Sequence, residues 1–266
     1  MDRLLAKKYR DLQKILLQHK KVAIAFSGGV DSSFLLYAAC AALGPSAVHA
    51  FHAHSELLPP LETERVEESI RERGCFFHPV EIKPLAWPEF VANGADRCYL
   101  CKKKIYQTFL ADPLFATDVA LFDGTNRDDL GQDRPGLRAI VELSVQTPLA
   151  EVGLTKKEIR VLSREFALST WDVHASSCLA TRIAPLEPIT REKILLVSQC
   201  EAVLRKKGFM GVRVRLSGEV ATIAVLQKDL HTIQDKHVFS GIKDVFSILG
   251  LRKIAVDSEG RPGGAG

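Results

Sequence analysis

No stretch of this sequence is long and apolar enough to cross a bilayer. The longest uncharged apolar run, Phe34 to Leu43, falls well short of the ~20 residues a spanning helix needs. The opening Met1-Asp2-Arg3 does not begin a secretory leader, so we expect a cytoplasmic protein with no membrane partner. Cysteine is sparse: six in 266 residues do not make a disulfide scaffold, which leaves metal, redox and core roles. Blocks of like charge are missing too. The net charge is +4 with a pI near 8.7, and the basic clusters Lys102-Lys103-Lys104, Lys156-Lys157 and Arg205-Lys206-Lys207 are short and scattered. That balance suits a small anionic substrate better than a nucleic acid backbone. There is no internal repeat. A composition of 46% hydrophobic and 26% charged residues is ordinary for a globular chain, and this length builds one large or two modest domains.

What is present is organised around Ser27-Gly28-Gly29-Val30-Asp31-Ser32-Ser33. An apolar strand, Val22 to Phe26, precedes it and a helical run, Ser33 to Leu43, follows. The two glycines let a ligand approach the backbone, and the helix start presents unpaired N–H groups and a positive dipole end. That is an anion site, best suited to phosphates. Ser32 and Ser33 add hydroxyl donors, while Asp31 would repel a polyphosphate unless Mg2+ stood between them, so a metal-nucleotide ligand is expected. A Walker A loop needs four residues between its glycines and then a Lys, and a dinucleotide fingerprint needs a third glycine; neither is here. The stretch instead resembles the PP-loop ATP pyrophosphatase signature, Ser-Gly-Gly-x-Asp-Ser. The resemblance implies that Ser27, Gly28, Gly29, Asp31, Ser32 and Ser33 bind ATP, which is cleaved between its α and β phosphates.

Along the chain, residues 4–17 have the spacing of a helix. Strands are expected at Val48 to Ala53, Cys75 to Ile82 and Val119 to Phe122, with helices at Glu62 to Arg73 and up to Leu110. Alternation of this kind predicts an α/β fold with a doubly wound, mostly parallel sheet. Ligands bind such sheets at the carboxyl ends of the strands, where both Ser27 to Gly29 and Gly124-Thr125-Asn126 lie. His49, His52 and His54 alternate along one strand, so at most two share a face. Asp128 and Asp129 could hold a metal or cap the following segment, and capping is the better match. Thr155, with Glu158 three residues on, predicts a capping box. Ser169 to Thr190, barred from helix by Pro185 and Pro188, reads as a functional loop and domain boundary. We therefore expect a domain over 1–185, a smaller α+β substrate or oligomerisation domain over 186–257 and a disordered tail over 258–266.

Cys98 and Cys101 form a C-x-x-C pair, which alone is compatible with zinc, an iron–sulfur cluster or a redox pair. Cys178 stands in the later loop. Cys40, Cys75 and Cys200 fall in helices and a strand, where a thiol acts as a small hydrophobe. Together with the Ser27 to Ser33 loop, five stretches resemble, in order, the LarE-type ATP-dependent sulfur transferases. They are Asp96-Arg97-Cys98-Tyr99-x-Cys101-Lys102, Gly124-Thr125-Asn126-x-Asp128-Asp129, Arg134-Pro135-Gly136-x-Arg138-Ala139, Gly153-Leu154-Thr155-Lys156 and Cys178-Leu179-Ala180-x-Arg182-Ile183, with the match running on to Arg215.

The resemblance implies an ATP-dependent, AMP-forming enzyme. Its substrate would be pyridinium-3,5-biscarboxylate mononucleotide, and its product a thiocarboxylate of the nickel-pincer nucleotide cofactor of lactate racemase. One branch of the family sacrifices the cysteine matching Cys178; the other holds a [4Fe-4S] cluster on three cysteines, and this chain has Cys98, Cys101 and Cys178. Three thiolates leave one iron open to hold a hydrosulfide from a sulfide or other sulfur donor. His174, where the loop departs from the family pattern, admits a rival zinc site on the same three cysteines. Arg138, Arg182, Arg213 and Arg215 are candidates for the substrate, the last two sharing a strand face, and Lys102 for steadying the adenylate. Asp31 is the candidate Mg2+ ligand. The family also implies a homo-oligomer, with a hexamer as its form. The rivals are a cluster-dependent tRNA thiolase, which needs a basic stripe this chain lacks, and a nucleotide-binding sensor with structural zinc.

Overall fold

The computed structural model describes residues 2–131, 135–172 and 177–261. Helix α1 (Arg3–Leu16) starts where the Asp2 carboxylate accepts from Leu4 N, and it buries Leu5, Leu12 and Leu16. β1 (Val22–Ala25) is buried along its whole length, as a strand covered on both faces must be. α2 (Val30–Leu43) is apolar nearly all round and packs beside α1. It begins three residues earlier than the sequence reading places it. Gly29 caps it, and Asp31, Ser32 and Ser33 already occupy first-turn positions, where such residues are favoured. β2 (Val48–His54), α3 (Pro60–Arg73) and β3 (Phe76–Glu81) follow, with Cys75 lying just ahead of its strand. The chain then forms α4 (Pro88–Val91) and continues as α5 (Arg97–Leu110) and β4 (Ala120–Asp123). Next come α6 (Arg127–Leu130), α7 (Pro135–Glu142), α8 (Pro148–Glu151) and α9 (Lys156–Glu165).

The four strands form one parallel sheet in the order β3-β2-β1-β4. Val22 pairs with Val48 on one side and with Ala120 on the other, so the carboxyl ends of β1 and β4 emerge side by side. The expectation of an α/β fold with a parallel sheet therefore holds for this part of the chain. The capping box also forms as expected, Thr155 Oγ1 accepting from Glu158 N while the Glu158 carboxylate accepts from Thr155 N.

Contacts divide the chain into two units. Met1–Ser55, Pro60–Ile82 and Asp96–Val173 make the first; Glu56–Pro59, Lys83–Ala95 and His174–Gly266 make the second. In the second, α10 (Arg191–Lys206) precedes a three-stranded sheet. Its antiparallel pair is β5 (Arg213–Ser217) and β6 (Val220–Ala224). α11 (Leu230–Gln234) and α12 (Lys236–Ile248) lead to β7 (Lys253–Val256), which lies parallel to β6. In the segment read as a disordered tail, Arg261 bridges Leu226; residues 262–266 lie outside the described residues. No described helix is long and apolar enough to cross a membrane.

Candidate active site

The loop from β1 to α2 is tied by its own hydroxyls. Ser32 Oγ donates to Gly29 O at 3.1 Å, accepts from Ser27 N at 3.3 Å and lies 3.1 Å from Ser27 Oγ. Gly28 has φ of 76°, and a Cβ there would meet Val66 Cγ2 at 2.6 Å, so only glycine fits the turn. The first intrahelical bond is Ser33 N to Gly29 O, so the amides before it face the loop mouth as anion donors. Ser32 spends its hydroxyl on the loop. Ser33 Oγ is buried without a hydrogen-bond partner among the described residues.

The β4 loop closes the other side. A Cβ on Gly124 would lie 3.0 Å from Ser32 N, which measures how closely this loop approaches the start of α2. Asn126 is buried and caps α6: its Oδ1 accepts from Asp128 N at 2.9 Å, and the Asp129 carboxylate accepts from Asn126 N at 3.1 Å. Asp129 thus caps, while Asp128 Oδ2 accepts from Lys156 N at 2.8 Å. Asn126 Nδ2 also reaches Asp31 Oδ1 at 3.4 Å, and Lys156 Nζ donates to Asp31 Oδ2. Burial raises the Asp31 carboxyl above its usual range against the pull of that ammonium. Lys156 ends the Gly153-Leu154-Thr155-Lys156 motif, which by itself assigns it no role. Its place at the first position of a capped helix aimed at Asp31 is what the linear pattern could not disclose.

Asp123 ends β4 and is nearly buried. Its Oδ1 accepts from Thr125 N at 2.7 Å and from Thr125 Oγ1; its Oδ2 accepts from Tyr106 Oη and pairs with Lys102 Nζ at 3.2 Å. Burial alone would raise this carboxyl, but the Lys102 charge and the hydroxyl donors hold it below the usual range. Lys102 is therefore engaged with Asp123 in this structure.

Helix α5 carries Cys98, exposed, and Cys101, half-buried, one turn apart. Its first turns are gripped by α7. The Arg138 guanidinium lies 3.6 Å from the Tyr99 ring centre and pairs with Asp96 at 3.2 Å, while Glu142 accepts from Tyr99 Oη at 2.7 Å and from Lys103 Nζ at 2.8 Å. Arg138 thus sits against the C-x-x-C helix within the first unit; the other three candidate arginines belong to the second. Of the strand histidines, His49 bonds His78 at 2.9 Å and His52 Nδ1 lies 2.8 Å from Phe26 O.

In the second unit, Cys178 precedes a short turn, Leu179–Arg182. Arg182 Nη1 donates to Ser177 O at 2.8 Å, Ser177 Oγ at 2.5 Å and Cys178 O at 3.3 Å, and its Nε donates to Glu201 Oε1 at 2.9 Å. It ties the cysteine loop to Glu201 of α10. Arg213 and Arg215 alternate with buried Val214 and Leu216 on β5 and so share a face. Among the described residues no three Cys, His, Asp or Glu side chains gather closely enough to hold a metal ion. His174, the rival zinc ligand, and Arg134 lie outside the described residues. The two helix thiols, one turn apart, are of the soft ligand type that suits a thiophilic metal.

No family model matches the chain. An uncharacterised protein of Synechocystis is 32% identical over 98% of this chain and 97% of its own length. The pyridinium-3,5-bisthiocarboxylic acid mononucleotide synthase of Lactiplantibacillus plantarum is 30% identical over 96% of this chain and 92% of its own. An uncharacterised protein of Methanocaldococcus jannaschii is 26% identical over 95% of both chains.

Proposed function

The chain belongs to the LarE-type family that includes the Lactiplantibacillus plantarum synthase, and from that premise we propose that it is an ATP-dependent sulfur transferase acting on pyridinium-3,5-biscarboxylate mononucleotide. The observation that carries this reading is the convergence of Lys156, Asn126 and Asp31 at the mouth of the Ser27 to Ser33 loop. A backbone anion cradle with a cation and a carboxylate beside it suits a triphosphate carrying Mg2+, which Asp31 would hold.

The amides at the start of α2 hold the phosphates. Lys156 neutralises charge as pyrophosphate departs, so a substrate carboxylate oxygen attacks the α phosphorus and the bond to the β-phosphate oxygen breaks. The acyl adenylate gives a poor acyl donor a good leaving group. A sulfur nucleophile then forms the carbon–sulfur bond and AMP leaves. Cys98, Cys101 and Cys178 would hold a [4Fe-4S] cluster, which supplies an iron without a protein ligand as a seat for hydrosulfide. Arg182 keeps Cys178 in place from behind, and α7 keeps the helix of Cys98 and Cys101 in place. We propose a cytoplasmic homo-oligomer.

The test incubates anaerobically prepared protein with ATP, Mg2+, the biscarboxylate mononucleotide and sulfide. Pyrophosphate release that requires the mononucleotide, with exchange of oxygen for sulfur in its mass, is the expected result; release without acceptor, or none with any, refutes the reading. Iron and acid-labile sulfide are measured in wild type and Cys98→Ala. Near-stoichiometric cluster lost in the variant supports the three-cysteine route. Iron-free wild type whose mass falls by one hydrogen sulfide per turnover assigns the sulfur to Cys178 instead.

A further inference from the structure

Cys40 and Cys75 are expected to act as small hydrophobes, and both do pack against the core around α2 and β1. The fold also brings them together. Far apart in sequence, the two thiols hydrogen-bond each other within the first unit, and both are half-buried, so small reagents can reach them. Cys40 lies in the last turn of α2, where its carbonyl accepts from Gly44 N at 3.0 Å. Cys75 stands just past α3. There Gly74 N donates to Ile70 O at 3.1 Å, and a φ of 66° at Gly74 turns the chain from the helix toward β3. Arg73 fixes the same junction from the side. Its guanidinium lies 5.2 Å from the ring centre of Tyr37, which is one turn before Cys40 on α2 and packs in turn on Phe166 at 4.8 Å.

Thiols already in contact need only a small movement to reach the ~2.05 Å of an S–S bond. Their surroundings are unequal. The hydrogen bond from Cys40 holds the Cys75 thiol below its usual range against the effect of burial, and the Arg73 guanidinium acts in the same direction. That bond and then burial push the Cys40 thiol up, and the negative end of the α2 dipole lies beside it. Cys75 is thus the better nucleophile of the two.

We propose that Cys40 and Cys75 form a redox pair, which hydrogen peroxide closes into a disulfide and a dithiol reopens. The Cys75 thiolate attacks one peroxide oxygen, the O–O bond breaks, and the departing hydroxide takes up the proton that Cys75 had lost. A sulfenic acid is left on Cys75. Cys40 Sγ then attacks Cys75 Sγ, the S–OH bond breaks, and the Cys40 proton leaves with that hydroxide as water. Two thiols have given up two electrons, and peroxide has become two waters. The bond ties the last turn of α2 to the end of α3. This matters beyond the pair, because α3 also bears on the Ser27 to Ser33 loop through Val66, whose Cγ2 a Cβ at Gly28 would meet at 2.6 Å. The proposal stands apart from the sulfur-transferase reading.

The full-length protein is treated with limiting hydrogen peroxide, its remaining thiols are blocked with N-ethylmaleimide, and the digest is mapped by mass without reductant. The Cys40 and Cys75 peptides should appear joined, two hydrogens lighter than their sum, and separate again with dithiothreitol. If Cys98 or Cys101 is oxidised while no such joined peptide forms, the proposal fails. It fails equally if Cys75 is found joined to a different cysteine. Before oxidation, Cys75 should react with maleimide about tenfold faster than Cys40, the ratio given by one pKa unit; a faster Cys40 overturns the order of attack. In Cys40→Ser the reaction should stop at the sulfenic acid, trapped on Cys75 by dimedone, and a Cys75 left unlabelled refutes the step. Amides of α3 should exchange hydrogen about tenfold more slowly in the oxidised wild type and recover with dithiothreitol. Unchanged exchange would show that the bond does not hold α3.

Discussion

Arg182 and Glu201 have side chains only 4% and 2% exposed, and each satisfies the other. A buried pair of this kind adds little net stability, but removing one partner strands a charge. Glu201→Gln should therefore lose about 3 kcal/mol, read as a lower urea midpoint with an unchanged slope. Asp123 allows a pH test. Its folded carboxyl lies below the usual range, so its contribution to stability is complete above the unfolded value near ~4 and is lost as pH falls through the folded value. The stability gap between wild type and Asp123→Asn should hold from pH 7 down to about 4 and narrow below it; a constant gap would remove the Lys102–Asp123 account. The two residues were unequally visible in sequence. Arg182 stands in a motif that makes it a substrate candidate, while nothing local reveals its bond to a glutamate nineteen positions away in another helix.

Among the elements, the strands and the capped helix α9 were legible because apolar runs and the Thr155–Glu158 spacing are local signals. The start of α5 was less so. Asp96 makes no side-chain cap bond, and Tyr99 and Lys103 are held by Arg138 and Glu142 of α7, far along the chain. Gly124 marks a close approach of two backbone segments at the loop mouth. A Cβ there would lie 3.0 Å from Ser32 N and 3.2 Å from Ser32 Cα, both backbone atoms that cannot rotate away. Gly124→Ala should thus force β4's loop off the start of α2 and cut ATP affinity by about tenfold, at a cost of 1–3 kcal/mol or so typical of overpacking. Gly136→Ala is the contrast. Its Cβ meets Lys102 Cδ at 3.1 Å, a flexible side chain that can yield, so ATP affinity should be kept. Equal losses in the two variants would show that the Gly124 backbone contact is not what positions the loop.

For the whole molecule, the order of elements follows from chain periodicity, but membership of the two units does not. A linear reading divides a chain at one point, whereas the second unit takes up 56–59 and 83–95 as well as the later residues. The reason lies in bonds made across long stretches of sequence. Leu179 N donates to Leu57 O at 2.9 Å and Ile189 N to Val91 O at 2.9 Å. Asn93, buried with a positive φ of 57°, donates through Nδ2 to Ala184 O at 2.7 Å and Glu187 O at 2.9 Å. A fragment ending at Val173 keeps 83–95 but removes every one of these partners, leaving polar groups that were satisfied in the intact chain to find water. Phe90, 2% exposed in the intact chain, should then become a fast site for chymotrypsin in the fragment, at least tenfold faster than in the full chain if local opening governs cleavage. Equal cleavage rates would mean that 83–95 keeps its structure without residues 174–261, and that the first unit alone organises it.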